Sequence, residues 1–198
     1  MLRATIATVN DALGTCPFTV ERPVMLHRWE SLTFLHWSFA PDAVQRLLPP
    51  SLAVEPCEDR AWVGLVPFFM RVALPRTRSV PWVSEFCETN VRTYVRDDAG
   101  RSGIWFFSLD AARLGAVVTA RTTYRLPYFW SQMSLARTGN TARHRFARAF
   151  HEPWPLRRAV AHTCTDELLR AAGLPPSDES PLVHYSEGVD VRIGRPER

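Results

Sequence analysis

Apolar positions in this chain fall in short runs that alternate with polar ones or stay apolar for a few residues, and proline or glycine interrupts them. Such a pattern predicts strands rather than long helices. The aromatic and β-branched run W-E-S-L-T-F-L-H-W-S-F at 29–39 reads as a strand, and 52–55 as a shorter one before a turn at 57–60. The stretch 61–74 is apolar on both faces and carries Gly64 and Pro67, so a strand there is buried on both sides or bent as barrel strands are. Strands at 87–96 and 104–111 flank D-D-A-G-R-S-G, a strong hairpin signal. Further strands are expected at 116–126, 182–185 and 189–193, with a short aromatic segment after Pro127. Two short helices are expected. One is at 41–48, with Pro41 in its first turn and Pro49-Pro50 at its end; the other is at 165–172, capped by Thr165 and stopped by Gly173. The expected fold class is mainly β with a few short helices, a barrel or sandwich. Residues 1–22 read as an irregular lead-in and 23–198 as a single domain.

Composition narrows this picture. The 198 residues contain no lysine, so all 24 basic residues are arginine, against 20 Asp and Glu, for a net charge of +4. That modest excess does not point to a nucleic-acid partner. Codon usage explains the arginine bias more simply than function does. The four cysteines are scattered, with no C-x-x-C pair, which suits reduced thiols in a cytoplasmic protein. No secretory signal or membrane-spanning segment is expected.

Side-chain alternation places Glu88, Asn90, Arg92 and Tyr94 on one face of a strand. Two readings fit this stripe. It is either a solvated outer face or the lining of a ligand cavity, where Arg92 binds an anionic group while Glu88 or Tyr94 acts as acid or base. Arg121 and Arg125 are expected on one face of the 116–126 strand, as a second anion contact or a wet surface. His36, within an aromatic strand, reads as a hydrogen-bonded core residue rather than a catalyst. No metal motif, nucleophile elbow or phosphate loop is present, and no metal or cofactor is expected.

The segments W-E-S-L-T-F-L-H-W, L-L-P-P-S-L, A-W-V-G-L-V-P-F-F-M, E-T-N-V-R-T-Y-V, G-I-W-F-F-S-L-D-A, A-R-T-T-Y-R-L-P-Y and H-E-P-W-P-L occur in this order. As a set they resemble the YqjF-like family of uncharacterised bacterial proteins (domain of unknown function 2071), closely over 29–133 and more loosely beyond. The resemblance implies an acetoacetate decarboxylase-like antiparallel β-barrel with a largely enclosed pocket for a small organic acid. In that decarboxylase a lysine after a proline forms the Schiff base. The similar place here is L-P-Y-F, so Tyr128 or Phe129 stands where the amine would be, and Glu88 resembles the glutamate before the hairpin. Neither Tyr128 nor Phe129 offers the primary amine an imine requires. The segment between Gln132 and Pro153 is shorter than in relatives, which implies a shortened barrel or an open edge that favours a homodimer.

The resulting expectation is a barrel that binds a small organic acid or keto acid without Schiff-base decarboxylation, with or without lysine-free acid–base chemistry. Its ligand-binding candidates are Glu88, Asn90, Arg92, Tyr94, Tyr128 and Arg121. The alternative is a non-catalytic interaction or sensing module built on the same scaffold.

Overall fold

The computed structural model describes residues 20–77, 84–134, 150–151, 156–160, 166–177 and 179–193. Its strands are β1 (Met25–Phe39), β2 (Leu52–Val54), β3 (Ala61–Ala73), β4 (Glu85–Asp97), β5 (Ser102–Ala111), β6 (Tyr128–Trp130), β7 (Phe150–His151), β8 (Arg157–Arg158) and β9 (Leu182–Ile193). The helices are α1 (Pro41–Gln45), α2 (Leu114–Thr123) and α3 (Asp166–Ala171). The strands form one sheet in the order β6-β5-β4-β3-β1-β9-β7, with β2 against β4 and β8 against β9.

Both faces of this sheet are covered. On one, Trp29, Leu32, Phe34, Val66, Phe68, Leu109 and Val191 form a core with Val117 of α2 and Tyr128 of β6. On the other, Leu35, Trp37, Val63, Leu65 and Val91 pack with Val44 of α1 and Leu169 of α3. The two faces are called the α2 face and the α1/α3 face below. Double coverage accounts for the continuous apolar run of β3, where residues of either parity are buried.

Alternation breaks in β5, opposite Val91 and Arg92, and in β1. The β1–β3 register shifts by one residue between Glu30 and Leu35, and Ser31 adopts φ 55°. Trp29 and Leu32, of opposite parity, consequently join the same core. Strand β9 turns with β1 at Gly188, which pairs with Glu30. A Cβ on Gly188 would stand 2.5 Å from the Trp29 carbonyl oxygen, so the approach of the two backbones requires glycine.

The hairpin between β4 and β5 forms as expected. Asp97 Oδ1 accepts from the backbone N–H of Ala99 and of Arg101, and Gly100 takes φ 76°. Several other expectations are corrected. Residues 116–126 are not a strand, because 114–123 form helix α2. Its β-branched threonines sit in the helix by returning their hydroxyls to earlier carbonyls: Thr119 to Gly115 and Thr122 to Val118. Arg121 therefore lies on a helix, while Arg125 follows it at φ 52°, and the two share no strand face. The strands expected at 182–185 and 189–193 are one, β9. The sheet is mixed rather than antiparallel, because the β5–α2–β6 crossover returns β6 parallel to β5. Among the described residues the sheet also stays open, with β6 and β7 at its ends. The Thr165 cap and most of the 132–153 segment lie outside the described residues. No helix among the described residues is long and apolar enough to cross a membrane.

Candidate functional site

Strand β4 runs between β3 and β5, and its even-numbered residues face α2. Register fixes the lateral neighbours: Phe68 and Ala111 flank Glu88, Val66 and Leu109 flank Asn90, and Gly64 and Phe106 flank Arg92. The lateral neighbours of Glu88 and Asn90 have apolar side chains. Nevertheless Glu88 and Asn90 are fully buried and Arg92 is 2% exposed. The solvated-face reading of the stripe is thereby excluded for these three; Tyr94, toward the hairpin, is half-buried.

Tyr128 reaches this row from β6. It is buried, and its hydroxyl donates to Glu88 Oε1 at 2.9 Å. Phe129 points the other way and is exposed, so only Tyr128 of the L-P-Y-F pair belongs to the site. Burial, aided by nearby Asp110, pushes the Glu88 carboxyl well above its ordinary range despite the Tyr128 hydrogen bond; burial and the adjacent Glu88 push the Tyr128 phenol up as well. Glu88 is thus favoured as a neutral acid. Among the described residues, Glu88 Oε2 and both ends of the Asn90 amide have no hydrogen-bond partner, and neither does Ser186 Oγ. Ser186 pairs with Leu32 and lies on the same face.

A second cluster completes the row. Arg92 lies over the rings of Phe34 and Tyr94, at 5.6 and 5.7 Å. Its Nη2 donates to Tyr94 Oη at a long 3.5 Å, and Tyr94 Oη lies 2.7 Å from His36 Nε2. The His36 tautomer sets which of the two donates in that contact. Burial, then Arg92 and His184, lower the His36 pKa to about 3, so this imidazole is neutral. Gly64 makes room for it, since a Cβ there would come within 2.8 Å of His36 Nε2. His36 is the hydrogen-bonded core residue expected from sequence, but its tie to Tyr94 was not visible there. His27 was not singled out at all. It is buried on the same face, its pKa is lowered to about 4 by burial, and Trp29 Nε1 donates to its Nδ1 at 3.5 Å.

Arg121 does not join this row. It lines an open groove of about 760 Å³ along β5, together with Trp105, Phe106, Tyr124, Arg125 and Leu126. The groove and the polar row are neighbours across Phe106, but none of Glu88, Asn90, Arg92 and Tyr94 lines it.

Comparisons with known proteins agree with this architecture. The chain is 27% identical over 217 residues to the uncharacterized protein YqjF of Bacillus subtilis (strain 168), covering 85% of this chain and 89% of that protein. Among solved structures, the enduracididine biosynthesis enzyme MppR complexed with pyruvate superposes with a TM-score of 0.55 at 13% identity, over 92% of this chain and 93% of the other. An acetoacetate decarboxylase-like enzyme from Sphingomonas wittichii RW1 gives 0.54 at 12% identity, over 93% and 98%. These likenesses show an acetoacetate decarboxylase-like fold. Residues 27–149 and 138–190 match the family described as DUF2071, uncharacterized conserved protein, and the chain belongs to that family.

Proposed function

We propose that the α2 face binds a small organic acid or keto acid, with Arg92 as the anion contact and Glu88, Asn90 and Tyr128 around its neutral part. One observation carries this reading: a carboxyl and an amide are fully buried in an apolar wall, and atoms of both lack partners among the described residues. Leaving such atoms unsatisfied costs about 1–3 kcal/mol each, a large share of an ordinary domain's stability. A ligand or ordered water removes that cost. Pyruvate, which the structurally similar MppR holds, belongs to the same chemical class. Schiff-base chemistry on a lysine is excluded because the chain has no lysine. Acid–base chemistry without lysine would use Glu88 or Tyr94. The four scattered cysteines, with no C-x-x-C pair, favour a reducing, cytoplasmic setting.

A non-catalytic scaffold is the second reading. It is favoured by the aromatic side chains Phe34, Phe68 and Phe106 packed around the row, and by the groove lying outside it. Calorimetric titration with pyruvate, and mass spectrometry of ligands retained on purification, separate the two readings. Arg92→Met should weaken pyruvate binding roughly tenfold or more, the loss expected for a charge-assisted hydrogen bond. Equal binding by both proteins removes Arg92 from the role, and no retained or added ligand at all leaves the scaffold.

A further inference from the structure

Glu88 and Asn90 are successive positions on the α2 face of β4, about 7 Å apart by the pleat. Their polar atoms are unequal in what they can offer. Glu88 Oε1 already accepts from Tyr128, so a proton on this carboxyl resides on Oε2, the oxygen without a partner among the described residues. The apolar surroundings that push this carboxyl well above its ordinary range keep that proton in place. A carboxyl held neutral in this way donates a hydrogen bond where an ionised one only accepts. Asn90 Nδ2 is a second donor on the same face, likewise without a partner among the described residues.

We propose that the Glu88 carboxyl, through Oε2, and the Asn90 amide, through Nδ2, form an oxygen clamp that donates jointly to one carbonyl, enolate or phenolate oxygen of the ligand. The clamp rests on the reading that this face takes a ligand, and it deepens that reading. It requires more than a simple carboxylate, because the ligand must carry a carbonyl, enolate or phenolate oxygen. Tyr128 is a positioning residue in this arrangement: its hydroxyl occupies Oε1 and thereby directs the acidic proton to Oε2. Preorganised donors in a dry, apolar wall favour an oxyanion much more than the same donors do in water.

Para-nitrophenol, whose absorption reports its ionisation, is the probe, titrated against the full chain at neutral pH. The wild type should bind the nitrophenolate form more tightly than it binds unsubstituted phenol. Asn90→Ala and Glu88→Ala should each weaken nitrophenolate binding roughly tenfold or more. Glu88→Gln, whose side-chain amide still donates, should restore it to within about threefold. Tighter binding by Glu88→Gln than by wild type would show that Glu88 repels the anion as a carboxylate, and would overturn the clamp. So would wild-type affinity in the two alanine variants, or a wild type that does not bind nitrophenolate. If Arg92→Met alone abolishes nitrophenolate binding, the clamp falls and the anion contact stands. If wild type ignores pyruvate yet binds nitrophenolate through Glu88 and Asn90, the clamp stands and the keto-acid reading falls. Infrared spectroscopy of the wild type needs no variant: a carboxylic-acid C=O band at neutral pH that shifts on adding nitrophenolate is expected, and its absence refutes the clamp.

Discussion

Acid should unfold this protein through two histidines rather than through its carboxylates alone. His36 and His27 are buried on the α2 face, and their pKa values are lowered from 6.5 to about 3 and about 4. The unfolded chain takes up these protons near pH 6.5, whereas the folded chain refuses them until lower pH. Stability is therefore complete above about pH 6.5 and falls as the pH drops toward the folded-state values. At about pH 5 both folded imidazoles are still neutral, and the unfolded ones are about 1.5 pH units below their pKa. At about 1.4 kcal/mol per unit, each histidine then removes about 2 kcal/mol, or about 4 kcal/mol together. That is a large part of the 5–15 kcal/mol typical of a domain. Glu88 acts in the opposite sense. Its folded pKa is raised, so its contribution is present below about 4.5 and lost as pH rises through the folded value. Differences between variants separate these effects. Urea unfolding followed by tryptophan fluorescence at about pH 8 and about pH 5 is the assay, on wild type, His36→Gln and His27→Gln. Each variant should lose about 2 kcal/mol less than wild type on acidification. An identical loss in His36→Gln, or a His36 ring that titrates near 6.5 by NMR in the folded protein, refutes the reasoning.

Three further substitutions probe the same face. Tyr128→Phe removes the donor to Glu88 Oε1 and should cost about 1–3 kcal/mol in urea unfolding. A Tyr128→Phe/Glu88→Leu double variant should recover part of that loss. Gly64→Ala drives a methyl to within 2.8 Å of His36 Nε2; it should cost about 1–3 kcal/mol and move the His36 ring resonances, whereas unchanged resonances would contradict the packing. Gly188→Ala meets the rigid Trp29 backbone at 2.5 Å, so it should be the more damaging glycine change, with a lower thermal midpoint than Gly64→Ala.

How much of this was legible in the sequence depended on the range of the interaction. The stripe from Glu88 to Tyr94 is a local two-residue alternation, and the structure puts these residues on the expected common face. The hairpin at Asp97–Arg101 is also local, and its Asp and Gly signals hold. Helix α2 was misread because valine and threonine favour strands. What overrides that preference is the burial of Val117 against the sheet, while the threonine hydroxyls bond to carbonyls of their own helix. Distinguishing Tyr128 from Phe129 required knowing that β6 joins β5 in parallel, a long-range pairing with no local mark. The His36–Tyr94 contact depends on β1–β3–β4 register across Gly64, and a glycine inside an apolar strand is the one clue that was present.

The kink shared by Ser31 and Gly188 has a consequence for how relatives are aligned. Because β1 gains one residue on β3 at that point, everything in β1 before it is out of phase with everything after it. A one-position gap between residues 30 and 35 would exchange inside for outside along the first half of the strand. It would carry Trp29 and His27 away from the face that holds Glu88. At the low identities separating this chain from its structural neighbours, such a gap would pass unnoticed by residue matching. The side on which a relative's aromatic residue at the position of Trp29 packs is therefore a better guide to true correspondence than the residue type itself.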